Sequence, residues 1–289
     1  NCNNGEYMTH PAFISMNTNG FWVGKFETGY RGATSPATAQ VNANDTSKII
    51  IKPNVYSWRN ITVYNEFLNS YNYQRGLDSH MMKNTEWGAV AYLSHSKYGI
   101  NRETNINNNS SYKTGYSALP STNQQTYPAT SGDGTTYNSA YNTDIGYLGS
   151  TTGNISGVYD MSGGAWEYVS AYITGKPGSS GFSTTTLANY DSKYFDAYNA
   201  SSTTSTYQYR ILGDATGEMG DFKKYNDSDN GLRCHSSWYG DYSYFVDSSY
   251  PWFYRGGRYA IGVLAGAFSF SRNTGGTDSS AGFRIVLTP

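Results

Sequence analysis

The sequence is short of charge. Asp, Glu, Lys and Arg make up 14% of its 289 residues and leave a net charge of −1, where a typical globular chain carries about a quarter charged residues. That balance supplies no basic stripe for nucleic acid and no polybasic patch for an anionic membrane, and it excludes both as electrostatic targets. Apolar runs are short too: no stretch reaches the roughly 18 residues of a membrane-spanning helix. Cysteine is confined to Cys2 and Cys234, which allow one long-range disulfide and leave its formation open. The histidines His10, His80, His95 and His235 have no i,i+4 or other short metal-ligand spacing. The first residues lack the charged and apolar regions of a signal peptide, so the start reads as that of a trimmed chain.

What the chain has instead is Asn, Ser, Thr, 32 Gly and 29 Tyr. Such a surface binds by stacking and hydrogen bonding with little side-chain entropy to lose, a chemistry favoured by extracellular recognition proteins. No charge run or proline-rich tract divides the chain, and 1–289 reads as a single domain.

Alternation from Phe21 to Glu27 predicts a first strand, and Ile49 to Ile51 a second, ended by Pro53. Ile61, Tyr64, Phe67 or Leu68, and Tyr71 recur at helical spacing, predicting a helix over about 58–71 with Ser57 or Asn60 as N-cap. A second helix is capped by Thr85, buries Trp87, Val90, Ala91 and Tyr98, and ends at Gly99. Residues 100–150 and 173–230 read as long surface loops. Strand-like alternation then returns toward the C-terminus. Phe268 and Phe270 share one face there and Ala267, Ser269 and Ser271 the other, which predicts apolar residues inside and small ones outside.

One stretch organises the rest. Residues 157–169 read Gly-Val-Tyr-Asp-Met-Ser-Gly-Gly-Ala-Trp-Glu-Tyr-Val, a strand entering a glycine turn and leaving as an aromatic strand. Asp160 and Glu167 flank Gly163 and Gly164, gathering oxygens that suit a hard cation. The alternative is that Asp160 caps its own turn while Glu167 meets an arginine such as Arg255 or Arg284.

This stretch is similar to the signature of the formylglycine-generating, sulfatase-modifying family, whose core is a C-type-lectin-like fold. Further blocks resemble that family in the same order: Phe21–Thr28, Asn84–Tyr92, Arg255-Gly256-Gly257-Arg258-Tyr259 and Gly282-Phe283-Arg284-Ile285-Val286. The resemblance implies an α+β, C-type-lectin-like domain with two helices, twisted antiparallel strands and long irregular loops. It also implies one structural calcium held through Asp160, Gly163, Ala165 and Glu167, two of them by backbone carbonyls. The family's catalytic, copper-binding cysteines align with Ile261 and Gly266, and residues 258–272 contain neither Cys nor His. The inherited oxidation therefore lacks its thiolates, no redox cofactor is expected, and the chain reads as no enzyme.

A narrower resemblance covers 255–287, which is similar to the variable region of diversity-generating retroelement proteins, where a lectin-like scaffold presents rewritten residues. The framework letters are Gly256, Gly257, Gly262, Ala265, Gly266, Phe268, Phe270, Gly282 and Phe283. The exchangeable positions are Arg258, Ala260, Ile261, Ala267, Ser269, Ser271, Thr277, Asp278, Ser279 and Ala281. Trp238, Tyr239, Tyr242, Trp252 and Phe253 join them as rigid aromatic anchors. An ordinary solvent face of a terminal hairpin is the alternative. Similar chains imply a pilin-like or other surface-anchored head, extracellular or at the cell surface, with its anchor outside this sequence.

The resulting expectation is a non-catalytic, adhesin- or receptor-type binder of a protein or glycan on another cell, phage or host surface. A glycan-binding lectin and a formylglycine-generating-like enzyme of altered chemistry are the competing classes. Replacing Ala260, Ile261, Ser269 and Ser271 together is expected to preserve the fold and change the ligand.

Overall fold

The strand Trp166–Ile173 is buried on both sides, and the rest of the domain is layered about it. Its Trp-Glu-Tyr-Val-Ser-Ala-Tyr-Ile sequence is aromatic and β-branched without a polar face, as a strand covered twice requires. Val169, Ala171 and Ile173 enter one apolar core with Trp87, Phe253, Phe268 and Phe270. Trp166 and Tyr168 enter a second core with Trp58, Phe67, Trp252 and Phe283. The alternation of a pleated strand thus separates two aromatic layers.

The computed structural model describes residues 9–118, 139–199, 213, 215, 233–234 and 241–289. Trp166–Ile173 runs antiparallel to Trp252–Arg255, with Tyr254 opposite Tyr168 and Arg255 opposite Glu167. It runs parallel to Ala281–Phe283 and to Asp196–Tyr198. Trp252–Arg255 in turn pairs antiparallel with Phe270–Asn273, placing Tyr254 opposite Ser271. Ser243–Tyr244 continues the sheet beyond Phe270. A smaller sheet joins the ends of the described chain: Trp22 faces Leu287, Val23 faces Val286, and Ile285 faces Met81.

The architecture is α+β. The expected antiparallel strands are joined by parallel ones, because Ala281–Phe283 and Asp196–Tyr198 return to the central strand through long connections rather than hairpins. Five α-helical segments occur among the described residues, and two of them, Val63–Tyr73 and Asn84–Ser94, span 11 residues each.

The first of these starts later than its periodicity suggested. Thr62 is the cap and accepts the Asn65 N–H, while Trp58 is extended and buried with its indole N–H on the Val41 carbonyl at 2.7 Å. Lys83, not Thr85, precedes the second helix, and its N–H donates to Glu86 at 2.9 Å. Trp87, Val90 and Ala91 are buried as expected, but Tyr98 lies beyond the last turn and is 72% exposed. The predicted Phe21–Glu27 strand shortens to Trp22–Val23. No helix is long and apolar enough to cross a membrane among the described residues.

Candidate functional site

Gly256 and Gly257 follow the strand Trp252–Arg255 with φ of +83° and +76°, a region that L side chains enter at a cost. They turn the chain into a 3₁₀ segment, Tyr259–Leu264. A second glycine pair, Gly163 and Gly164, meets this turn. The Gly163 N–H donates to the Gly256 carbonyl at 3.0 Å, and the Tyr259 N–H donates to the Gly164 carbonyl at 2.9 Å. The opening stretch of the central strand therefore holds the C-terminal turn by main-chain bonds.

Beside this junction opens a cleft of about 520 Å³. The 3₁₀ segment and its cap contribute Arg258, Ile261 and Leu264, and the sheet contributes Trp166, Tyr254 and Ser271. Tyr242 and the loop residues Asp278, Ser279 and Ser280 complete the lining. Trp166 and Tyr254 stack at 5.4 Å and 22°, and expose only 8% and 5% of their surfaces.

Asp278 is held by a dense set of donors. Its Oδ2 accepts the Tyr254 hydroxyl at 2.5 Å and the Asn273 amide at 3.3 Å, and its Oδ1 accepts the Ser280 N–H and hydroxyl, each at 2.7 Å. Burial opposes the charged form, but the donors on Tyr254 and Ser280 outweigh it and hold the carboxyl below its usual range. Burial, then the neighbouring Tyr168 and Asp278, push Tyr254 strongly upward. Asp278 is thus an anion and Tyr254 a neutral donor, both displaced from the near-neutral range where proton transfer is most effective.

Of the sequence-derived ligand residues, Tyr242, Arg258, Ile261, Ser271, Asp278 and Ser279 line this cleft. Ala260 is half-buried in the same 3₁₀ segment, and Thr277 is exposed beside Asp278. Trp238 and Tyr239 lie outside the described residues.

Others are corrected. Trp252 and Phe253 are fully buried, because their strand is covered on both sides; the Trp252 indole donates to the Pro177 carbonyl at 2.9 Å. Ala267 and Ser269, expected on the outer face, are 5% and 0% exposed, and Ala281 is 0% exposed. Residues 265–269 are not pleated: the Ser269 N–H closes a turn on the Gly266 carbonyl at 2.9 Å, and the strand begins only at Phe270. The Ser269 hydroxyl points inward to the Tyr242 carbonyl at 3.1 Å.

Trp166, Tyr254, Leu264 and Ser280 were missed as lining residues. Their signal was the spacing of Asp278 and Ser280, which reads as an Asx turn, together with the alternation of Trp166 and Tyr168.

Of the expected calcium ligands, the two carboxylates find protein partners. Glu167 sets both oxygens on Arg284, at 2.9 Å to Nε and 2.5 Å to Nη2. Asp160 accepts the Gly115 N–H at 2.8 Å and the Asn107 amide at 2.9 Å. In this arrangement both carboxylates are engaged by protein donors. No group of three or more His, Cys, Asp or Glu arranged for a metal occurs among the described residues. Glu27, which sequence reading missed, joins the cluster, with Oε2 accepting the Ala165 N–H at 3.3 Å and Oε1 accepting the Ser57 hydroxyl. Burial raises Glu27 well above the carboxylate range, reinforced by Asp160 and Glu167, and burial lifts Glu167 to about 7 against the pull of Arg284.

The Cys234 backbone pairs with Ser243, and Cys2 lies outside the described residues. His80 is buried against Glu86. Gly266, one of the positions aligned with a catalytic cysteine, packs on the Asp241 carboxylate, while Ile261 lines the cleft. No protein-family model and no curated protein matches the sequence.

Proposed function

We propose that this chain is a non-catalytic binding protein in which a C-type-lectin-like scaffold presents a recognition cleft built from its C-terminal segment. One observation carries the reading. Tyr242, Arg258, Ile261, Ser271, Asp278 and Ser279, picked from the sequence as displayed positions, come from separate segments and line one open cleft. A rigid floor supports them, since Trp166 and Tyr254 are stacked and nearly covered. Cross-segment convergence on a fixed platform is how binding sites are preorganised.

The lectin-like scaffold draws support from the resemblance blocks at the two ends of the chain, which lie side by side as Trp22–Val23 against Val286–Leu287. The binding class is favoured over an enzyme because Asp278 and Tyr254 titrate away from neutrality and the aligned thiol positions are Ile261 and Gly266. On this reading the ligand sits on another cell, phage or host surface, and the domain is displayed outside the cell. The structural calcium belongs with it only if Glu167 exchanges Arg284 for the ion.

The test is a variant carrying new residues at Ala260, Ile261 and Ser271 together, with the buried Ser269 left alone. An unchanged Tm with an altered profile in a peptide and glycan binding screen supports the proposal. An unchanged profile, or loss of the fold, counts against it.

A further inference from the structure

The donors and acceptors of the cleft are unequally occupied. Asp278 accepts from Tyr254, Asn273 and both donors of Ser280, which fills the roughly four lone-pair positions of a carboxylate. Arg258 is in the opposite state. It is half-buried at the cap of the 3₁₀ segment, and among the described residues no carboxylate stands within ion-pair distance of it. Its polar neighbour is the neutral hydroxyl of Tyr112, and Asp278 feels its charge only from farther off. A second guanidinium, Arg59, lies 3.8 Å from the same Tyr112 ring and donates to the Ser279 and Pro36 carbonyls. The cleft therefore carries the Arg258 guanidinium beside one carboxylate whose acceptor sites are full, with Ser271 and Ser279 also in its lining, while Arg59 lies buried behind Tyr112.

We infer that the cleft takes a carboxylate, and specifically the side chain of an acidic residue on a protein ligand, with Arg258 as its partner. The planar guanidinium fork matches a carboxylate with two parallel hydrogen bonds. The apolar lining selects the carrier. Trp166 and Tyr254 lie face to face and are nearly covered, so they offer no broad open ring for a sugar to stack on. The half-buried apolar surface comes from Ile261 and Leu264 together with the ring of Tyr242, and its two aliphatic side chains suit the methylenes of a Glu or Asp side chain. This inference rests on the binding reading above and gives its ligand a chemical class.

A random heptapeptide library is selected against the parent protein and against a Ser271→Trp variant that fills the cleft. Calorimetry then compares hexaglutamate, hexaglutamine and trigalacturonate on the parent, Arg258→Gln and Arg258→Lys proteins. The expected result is enrichment of Glu- and Asp-containing peptides on the parent alone. Hexaglutamate should bind more tightly than hexaglutamine, with about a tenfold or greater loss in Arg258→Gln at unchanged Tm and a smaller loss in Arg258→Lys. Enriched peptides without acidic bias, or hexaglutamate binding indifferent to Arg258, overturn the inference and leave the binding reading standing. Binding of trigalacturonate in place of hexaglutamate overturns the peptide carrier. Equal enrichment on the parent and on Ser271→Trp overturns both the inference and the binding reading.

Discussion

The Tyr254 hydroxyl donates to Asp278 across 2.5 Å, and each residue drives the other further from neutrality, the phenol upward and the carboxyl downward. Tyr254 belongs to the sheet and Asp278 to the loop that edges the cleft, so this bond ties the variable-looking rim to the fixed floor.

Removing the donor tests that tie. Tyr254→Phe keeps the ring stack on Trp166 and should cost about 1–3 kcal/mol, because the hydrogen bond is to a charged group. Asp278 has a folded-state pKa below its unfolded value, so its contribution is present above the unfolded pKa and is lost as pH falls through the folded one. In Tyr254→Phe the acid limb of a Tm-against-pH curve should move to higher pH. An unmoved acid limb would mean that Asp278 does not depend on Tyr254.

A second titration lies far from the cleft. The His80 ring nitrogens face the Asp78 carbonyl and the Glu86 carboxylate, each at 2.8 Å. Burial works against the charged imidazole, yet Glu86 and the two hydrogen bonds raise its pKa; burial likewise opposes the Glu86 anion, which His80 nevertheless lowers. The His80 contribution is complete below its unfolded pKa of about 6.5 and is lost as pH rises through the raised folded value. The Glu86 contribution is complete above about 4.3 and is lost as pH falls through the lowered folded value. His80→Gln should flatten the alkaline limb of the Tm curve and destabilise by about 3–5 kcal/mol, the range for breaking a buried pair. An unchanged alkaline limb would rule the pair out as its cause.

Arg284 serves three buried acids. It pairs with Glu167 and also lowers the cost of charge on Asp160 and Glu27. Arg284→Met should cost about 3–5 kcal/mol by chemical denaturation, since it strands buried carboxylates. In the parent, excess chelator should leave Tm unchanged because Arg284 already occupies Glu167. A fall in Tm under chelation would instead show an ion competing with the guanidinium.

Neighbouring residues 268–270 should all resist change, for different reasons. Phe268→Ala and Phe270→Ala should each cost about 3–5 kcal/mol through lost burial and a cavity. Ser269→Val should cost about 1–3 kcal/mol through overpacking, beyond the lost bond to the Tyr242 carbonyl. Ser271→Thr, on the half-buried edge of the cleft, should fall within about 0.5 kcal/mol. Urea melts of the four proteins check the order. A Ser269→Val protein as stable as its parent would return Ser269 to the displayed face.

The sequence was most legible where a residue's role depends on its neighbours in the chain. Phe268 and Phe270 read as core from their own type, and Gly256 and Gly257, given as framework by the resemblance, take positive φ values that only glycine adopts freely. Period-two reasoning failed at Ala267 and Ser269 because the Gly266 turn interrupts the pleat just before the strand begins. Trp252 and Phe253 were misread because an aromatic pair looks the same as a binding anchor or as a strand covered twice. Asp278 was found, but its state is set by Tyr254, a residue 24 positions away. The pairing of Glu167 with Arg284, one of the readings left open, spans 117 residues, a distance that no local pattern in the chain could report.

The bonds that join Gly163 to Gly256 and Tyr259 to Gly164 run between backbone atoms alone. Gly163, Gly164 and Gly256 hold positive φ values and are required as glycine, but the bonds themselves use only N–H and C=O, so the fastening makes no demand on the side chains that follow in the 3₁₀ segment. Geometry and lettering are thereby uncoupled. Substitutions along the rim that differ in charge, size and polarity would start from the same curve of main chain, with no new turn to be found for each.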